Sequence, residues 1–174
     1  RLLTDILANT ILQINGTVNY GLARLTVPQG VANMGRIRLV TTSDDWMQKG
    51  SYLKTENGFL TNGAQGVIEV LAGTGDGRAI EGNMLNHGQI TVESGATLEI
   101  GGIAPVFVQA AGRIASDGFF LMNMGRFEMK GGKAEGIVRL YDSTVLAGAE
   151  VVQPTTLRLV GAGCRLVGNL SPMI

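Results

Sequence analysis

The chain contains little of several residue types, and each shortage excludes a class of protein. Its 174 residues include one cysteine, one histidine, four prolines and only 5% aromatic residues. The single cysteine, Cys164, cannot form an internal disulfide, and no group of Cys and His residues has the spacing of a zinc site. The sequence also lacks a Walker-type phosphate loop and a dinucleotide fingerprint. We therefore expect no structural zinc, no metal site and no nucleotide chemistry.

Neither positive nor negative charge is in excess. Lys and Arg total 14, and Asp and Glu also total 14. No basic surplus exists to neutralise a phosphate backbone, so we expect no nucleic-acid partner. The chain has no run of about 18 apolar residues, so we expect no membrane insertion. It has no tract of Ser, Gln, Pro or charge either, which predicts an ordered chain.

A repeated pattern is present instead, in which an Asn is followed shortly by Gly and then by alternating apolar residues. It occurs in Asn33–Leu39, Asn62–Val70, Asn86–Val92 and Asn123–Met129. Repetition of a turn and a short strand is typical of a β-solenoid. The marker glycines Gly35, Gly66, Gly88, Gly112, Gly125 and Gly136 indicate a unit of about a dozen residues, and two units would make a rung of roughly 20–25 residues.

Alternation of apolar and polar residues predicts which side chains form the core. The predicted inward set is Ile37, Leu39, Ile68, Val70, Ile90, Val92, Leu98 and Ile100. The predicted outward set includes Arg36, Arg38, Glu69, Thr91, Glu99, Glu128, Arg139 and Arg158. The fold class expected is all-β, a parallel β-helix (β-solenoid). An antiparallel β-sandwich is the alternative, and it is disfavoured because Asn and Gly recur at equivalent places rather than in two-residue hairpin loops.

We expect one domain over residues 1–174 with three parts. Residues 1–32 are predicted to form a short N-terminal cap and the first turns, in which Thr4–Leu7 could be a short helix that seals the end. Residues 33–145 hold the clearest repeats, and residues 146–174 form the C-terminal turns. Because the chain begins at Arg1 without a signal peptide, we interpret it as a piece of a larger protein whose leader carried its address.

The repeated Asn has a structural interpretation, since its side chain tolerates left-handed backbone and bonds to neighbouring amides. Asn33, Asn62, Asn86 and Asn123 are predicted to form a ladder at the corner of successive rungs. The glycines Gly35, Gly66, Gly88 and Gly125 accompany them in the turns. None of these residues is expected to be catalytic.

One segment, residues 41–54, departs from the repeat and is the first place to look for a ligand. It contains the ligand-binding candidates Asp44, Asp45, Trp46 and Tyr52. A sugar site would use the aromatic rings for stacking and the carboxylates as acceptors, whereas an enzyme would use the carboxylates as acid and base. A third interpretation is a polar loop with Trp46 packed against the solenoid. We assign no catalytic residue.

The unit Leu85–Gly102 resembles the repeats of bacterial surface and secreted β-helix proteins, including autotransporter-passenger-like adhesins. The resemblance is one of repeat style and covers about residues 30–145. It implies a right-handed parallel β-helix, exported to the cell surface or beyond, that acts as a rigid stalk, adhesin or assembly module and uses no cofactor. The partners that it implies are other protein chains or surface glycans.

A polysaccharide-active lyase or hydrolase is the alternative function, because such enzymes use the same fold. An enzyme should cluster carboxylates at matching positions of consecutive rungs. The predicted outward residues instead alternate in sign, which favours a non-catalytic module. The open ends of the solenoid also lead us to expect end-to-end or side-by-side self-association.

Overall fold

The structure, a computed structural model, describes residues 1–2, 4–17, 21–42, 50–75, 77–148 and 155–168. These residues contain no helix, and sixteen strands join in one sheet. The strands are β1 (Ile11–Gly16), β2 (Ala23–Val27), β3 (Ala32–Asn33), β4 (Arg36–Thr41), β5 (Ser51–Asn62), β6 (Val67–Val70), β7 (Arg78–Asn86), β8 (Gln89–Val92), β9 (Thr97–Gly101), β10 (Val106–Gln109), β11 (Arg113–Asn123), β12 (Arg126–Met129), β13 (Lys133–Tyr141), β14 (Thr144–Ala147), β15 (Thr155–Val160) and β16 (Arg165–Val167).

The strands wind into a three-sided solenoid of about six turns. Face A consists of β1, β4, β6, β8 and the first parts of β11 and β13. Face B consists of β2, the first parts of β5 and β7, β9, the second parts of β11 and β13, and β15. Face C consists of β3, the second parts of β5 and β7, β10, β12, β14 and β16.

All pairings between these strands are parallel, which confirms the predicted β-solenoid in a single domain. The register places Ile11, Arg36, Val67, Gln89, Arg113 and Lys133 one above the other, so a rung contains between 20 and 31 residues. The expectation of two strands in each rung is wrong, because every complete rung has three. The right-handed winding stays a prediction.

The core follows the period-2 alternation of the strands. All eight residues of the predicted inward set are buried, from Ile37 to Ile100. The interior is filled mainly by aliphatic side chains, and its aromatic part is a cluster of Phe107, Phe120 and Phe127. The rings of Phe107 and Phe127 stack with centroids 5.4 Å apart, and Phe120 meets Phe107 edge-on at 5.0 Å. The core is thus continuous from one rung to the next.

Buried amides form a ladder at the corner between faces C and A. Asn33 Nδ2 donates to Asn62 Oδ1 at 2.8 Å, and Asn62 Nδ2 donates to Asn86 Oδ1 at 2.7 Å. Asn86 Nδ2 then donates to Gln109 Oε1 at 2.8 Å. All four side chains are fully buried. The ladder stops above Gln109 because the next residue in register is Met129.

Asn123 lies outside this ladder, which corrects the sequence-based assignment. It is exposed at the end of the face B part of β11, in register with Tyr141. Its neighbour Met122 takes the inward position, so the alternation turns Asn123 outward. Gln109 occupies the fourth place in the ladder instead.

The corner glycines allow backbones of adjacent rungs to approach closely. Gly35, Gly66 and Gly88 each directly precede a face A strand, and a Cβ atom on Gly88 would overlap the carbonyl oxygen of Gly66. Gly125 lies at a different corner, between faces B and C, where a Cβ atom would meet Met122 and Pro105. The prediction that Gly125 lies at the same corner as Gly35, Gly66 and Gly88 is therefore wrong.

The first residues continue the solenoid rather than sealing it with a helix. The Leu2 N–H donates to the Thr26 carbonyl at 3.0 Å, and the Ile6 N–H donates to the Ala32 carbonyl at 2.9 Å. Ile6 is buried and takes the position in register with Asn33. The helix considered over Thr4–Leu7 does not form.

The amide ladder leads to a prediction about stability. Asn62→Ala removes a buried side chain that both donates and accepts, and it leaves Asn33 and Asn86 without that partner. We expect a loss of about 2–4 kcal/mol in the free energy of unfolding, measured by urea denaturation. The matched control Asn123→Ala should change it by less than about 0.5 kcal/mol. Equal losses in the two variants would contradict the ladder.

A second pair of variants separates backbone conformation from close approach. Gly95 and Gly112 have positive φ angles of 79° and 68°, so alanine is strained at both positions. A Cβ atom on Gly95 would meet nothing, whereas one on Gly112 would overlap the carbonyl oxygen of Gly88. Gly95→Ala should cost about 1 kcal/mol and Gly112→Ala at least about 3 kcal/mol in urea unfolding. A smaller loss for Gly112→Ala than for Gly95→Ala would refute the stacking at this corner.

Candidate functional site

The four predicted ligand-binding residues are only partly described. Asp44, Asp45 and Trp46 lie outside the described residues. Tyr52 is on β5, where it points outward from face B and is half-buried.

A groove of about 590 Å³ lies beside Tyr52, along the corner between faces B and C. The polar side chains that line it come from β2, β5 and β7. They are Arg24, Lys54, Glu56, Asn57, Glu81 and Asn83. Ile103, which is fully exposed, lies on the rim. We refer to this feature as the B/C groove.

Three glycines shape the B/C groove through left-handed backbone. Gly58, Gly82 and Gly102 have φ angles of 66°, 115° and 114° on three successive rungs. Such angles are accessible to glycine at little cost, and they turn the chain sharply from face B to face C. A Cβ atom on Gly82 would overlap the Thr55 hydroxyl, which donates to the Glu81 carbonyl at 3.2 Å. The floor of the groove is thus made by closely stacked backbone.

The charged side chains of the groove are mostly paired. Arg24 contacts Glu81 at 3.1 Å across an intervening rung, and Arg1 contacts Glu56 at 2.6 Å. Lys54 has no ion pair with any described residue. The groove therefore carries charges of both signs, and among the described residues the Lys54 ammonium group is available to a ligand.

Tyr52 lies between the partners of the Arg24–Glu81 pair. The Arg24 guanidinium carbon is 5.5 Å from the centre of the Tyr52 ring, in cation–π range. Partial burial raises the pKa of the Tyr52 phenol above its ordinary value of 10.0, and the negative charges of Glu81 and Glu99 raise it further. The phenol is thus protonated at neutral pH and can donate a hydrogen bond.

A second polar cluster lies inside the solenoid, at the corner between faces A and B. Arg78 is 1% exposed, and its Nη2 donates to the Thr41 carbonyl at 3.4 Å. The Ser51 hydroxyl lies 3.3 Å from the Thr41 hydroxyl and accepts from the Gly16 N–H at 3.1 Å. These side chains border the ends of the 43–49 segment. The cluster is enclosed, so it does not present a binding surface in the described part.

Within the described ranges, no three His, Cys, Asp or Glu side chains lie close enough together to hold a metal ion. The same residues include no long apolar helix of the kind that spans a membrane. Among the described residues, the B/C groove offers hydrogen-bonding groups and the unpaired ammonium of Lys54, and the Tyr52 ring lies beside it.

No protein family, curated protein or solved structure matches the chain.

Sequence reasoning found Tyr52, beside the B/C groove, but missed the residues that line the groove. Arg24 and Glu81 are 57 residues apart, and only the stacking of rungs brings them together. A signal does exist in the triplets Glu56-Asn57-Gly58 and Glu81-Gly82-Asn83, each of which combines an acid, an amide and a glycine. Both triplets lie at the same corner on adjacent rungs.

The environment of Tyr52 predicts a pH effect on stability. A pKa raised in the folded state means that the folded protein retains the phenol proton where the unfolded chain has lost it. This contribution is fully present below about pH 10 and is lost as the pH rises through the folded-state value. Urea unfolding in this range should show the loss in the wild type, and Tyr52→Phe should abolish that component.

A second variant tests the cause of the shift. Glu81→Gln removes a negative neighbour, so the Tyr52 phenol should ionise at lower pH than in the wild type, as followed by phenolate absorbance. A wild-type Tyr52 that ionises below pH 10 would contradict the described environment.

Proposed function

We propose that this protein is a non-catalytic structural, adhesive or assembly module that presents a rigid β-helix for contact with a partner or glycan. The observation that carries the proposal is the B/C groove, in which polar side chains from three rungs are held on paired strands. A binding site on such elements needs little reorganisation when a ligand arrives, because its side chains already have fixed positions.

The composition of the groove favours a hydroxyl-rich ligand. Glycan hydroxyls both donate and accept, and the Asn57 and Asn83 side chains can do the same. The Tyr52 ring and the exposed Ile103 side chain add apolar surface next to these polar groups. This combination of a few polar groups with apolar surface suits recognition of small polar ligands. A surface glycan is therefore our first candidate, and another protein chain is the second.

The arrangement of charge favours binding over catalysis. The described carboxylates of the groove contact arginines, as Glu81 does with Arg24 and Glu56 with Arg1. General acid–base hydrolysis of a glycoside needs two carboxylates on either side of the scissile bond. A polysaccharide lyase or hydrolase is the alternative proposal, since Asp44 and Asp45, in the sequence between β4 and β5, could supply such groups.

The setting that we propose follows from the repeat style of Leu85–Gly102. A rigid module of this kind suits the cell surface or the extracellular space. Its partners would be surface glycans, other protein chains or further copies of itself, joined end to end or side by side.

Two measurements on a panel of neutral and acidic polysaccharides test the proposal. One measures binding of the protein to each polysaccharide, and the other measures release of new sugar ends. We expect binding without release. Tyr52→Ala should weaken binding about tenfold or more, because it removes both a ring and a hydrogen-bond donor. The control Thr91→Ala, on face A, should bind as the wild type does.

Two outcomes would overturn this proposal. Release of sugar ends that is lost in the double variant Asp44→Ala/Asp45→Ala would establish the enzyme alternative. Binding that Tyr52→Ala leaves unchanged would exclude this part of face B as the contact surface.

A further inference from the structure

The ten arginines of the chain divide into three groups according to their surroundings. Ion pairs with glutamates are formed by Arg1, Arg24, Arg36, Arg38, Arg113 and Arg126. Arg78 is enclosed in the interior. The remaining three, Arg139, Arg158 and Arg165, form no ion pair with any described residue. All three lie on the last two described rungs.

Arg139 and Arg158 are direct neighbours on face B. The register of β13 and β15 pairs them, so their Cα atoms are separated by the spacing between adjacent strands, about 4.8 Å. Like charges directly opposite each other on neighbouring strands destabilise a sheet. A pair of opposite charges on adjacent rungs avoids this cost, as Arg38 Nε and Glu69 Oε2 do on face A, where they are 2.8 Å apart.

The Arg139 side chain is held in a fixed position. Its guanidinium carbon lies 3.8 Å from the centre of the Phe119 ring, one rung below. A guanidinium that stacks on a ring retains its hydrogen-bond donors at the edge of its plane. Arg139 Nε is buried and has no hydrogen-bond acceptor among the described residues. A buried donor without an acceptor costs free energy, which an incoming acceptor would recover.

We propose that Arg139 and Arg158 form an oxyanion-binding site on face B. Two arginines in register on adjacent strands suit the paired oxygens of a sulfate, phosphate or carboxylate, because each guanidinium presents a planar fork of N–H donors. The anion would neutralise the repulsion between the two arginines and offer an acceptor to Arg139 Nε. The site uses no residue of the B/C groove, so the test of this site is independent of the test of the proposed function.

Thermal unfolding tests the site. The unfolding temperature is measured in sodium sulfate and in sodium phosphate, and each is compared with sodium chloride at equal ionic strength. We expect the wild-type unfolding temperature to rise with the logarithm of the sulfate or phosphate concentration. Arg158→Gln should lose this rise, and Arg158 is exposed, so the variant should fold. The control Arg113→Gln removes an arginine that is paired with Glu135 on face A, and it should retain the rise.

Arg139→Gln is a second test variant, in which the rise of the unfolding temperature with sulfate or phosphate should also disappear. If that variant does not fold, Arg158→Gln decides alone. An anion-dependent rise that is the same in Arg158→Gln as in the wild type would overturn the proposal, as would the absence of a rise in the wild type.

Polymers distinguish the source of the oxyanion. Dextran sulfate that binds at least about tenfold more weakly to Arg158→Gln than to the wild type would identify a sulfated chain as the ligand, with unmodified dextran as the blank. Stabilisation by inorganic sulfate or phosphate without binding of dextran sulfate would identify a small free anion.

Discussion

The parallel register between neighbouring rungs is the constraint on which the rest of the structure depends. Each strand pairs with the strand one rung below and one rung above, so a position that faces inward on one rung faces inward on the next. This register stacks Asn33, Asn62 and Asn86 into a column of buried amides that bond to one another. A slip of one residue would break the amide ladder and turn Ile68 and Ile90 toward solvent. Burial and hydrogen bonding therefore select the same register.

The same register decides how charge is distributed over the surface. Opposite charges on adjacent rungs neutralise each other, as Arg38 and Glu69 do on face A. Face B carries one column of outward residues that begins with Arg24 and Tyr52 and ends with Arg139 and Arg158. At one end of that column Arg24 is paired with Glu81, and at the other end Arg139 and Arg158 are direct neighbours. A linear ligand lying along the axis of the solenoid would meet both environments.

The strands and the core were predictable because alternation is a local property. Residues such as Ile37 and Leu39 are buried as expected, since each strand needs only its own sequence to decide which side chains share a face. The corners were less predictable. The tetrapeptide Asn-Met-Gly-Arg occurs at residues 33–36 and again at 123–126, yet the first lies between faces C and A and the second between faces B and C. Identical local sequence cannot distinguish corners that differ only in their place in the turn.

The sequence by itself thus determined the parallel β-solenoid, the aliphatic core and one aromatic residue of the candidate site, Tyr52. Only the tertiary structure decided that a rung has three sides, that Gln109 and not Asn123 continues the amide ladder, and that Arg24 reaches Glu81. The physical reason is that rungs vary between 20 and 31 residues in length. The residues that meet across rungs are therefore set by how much chain each turn uses, which local periodicity does not encode.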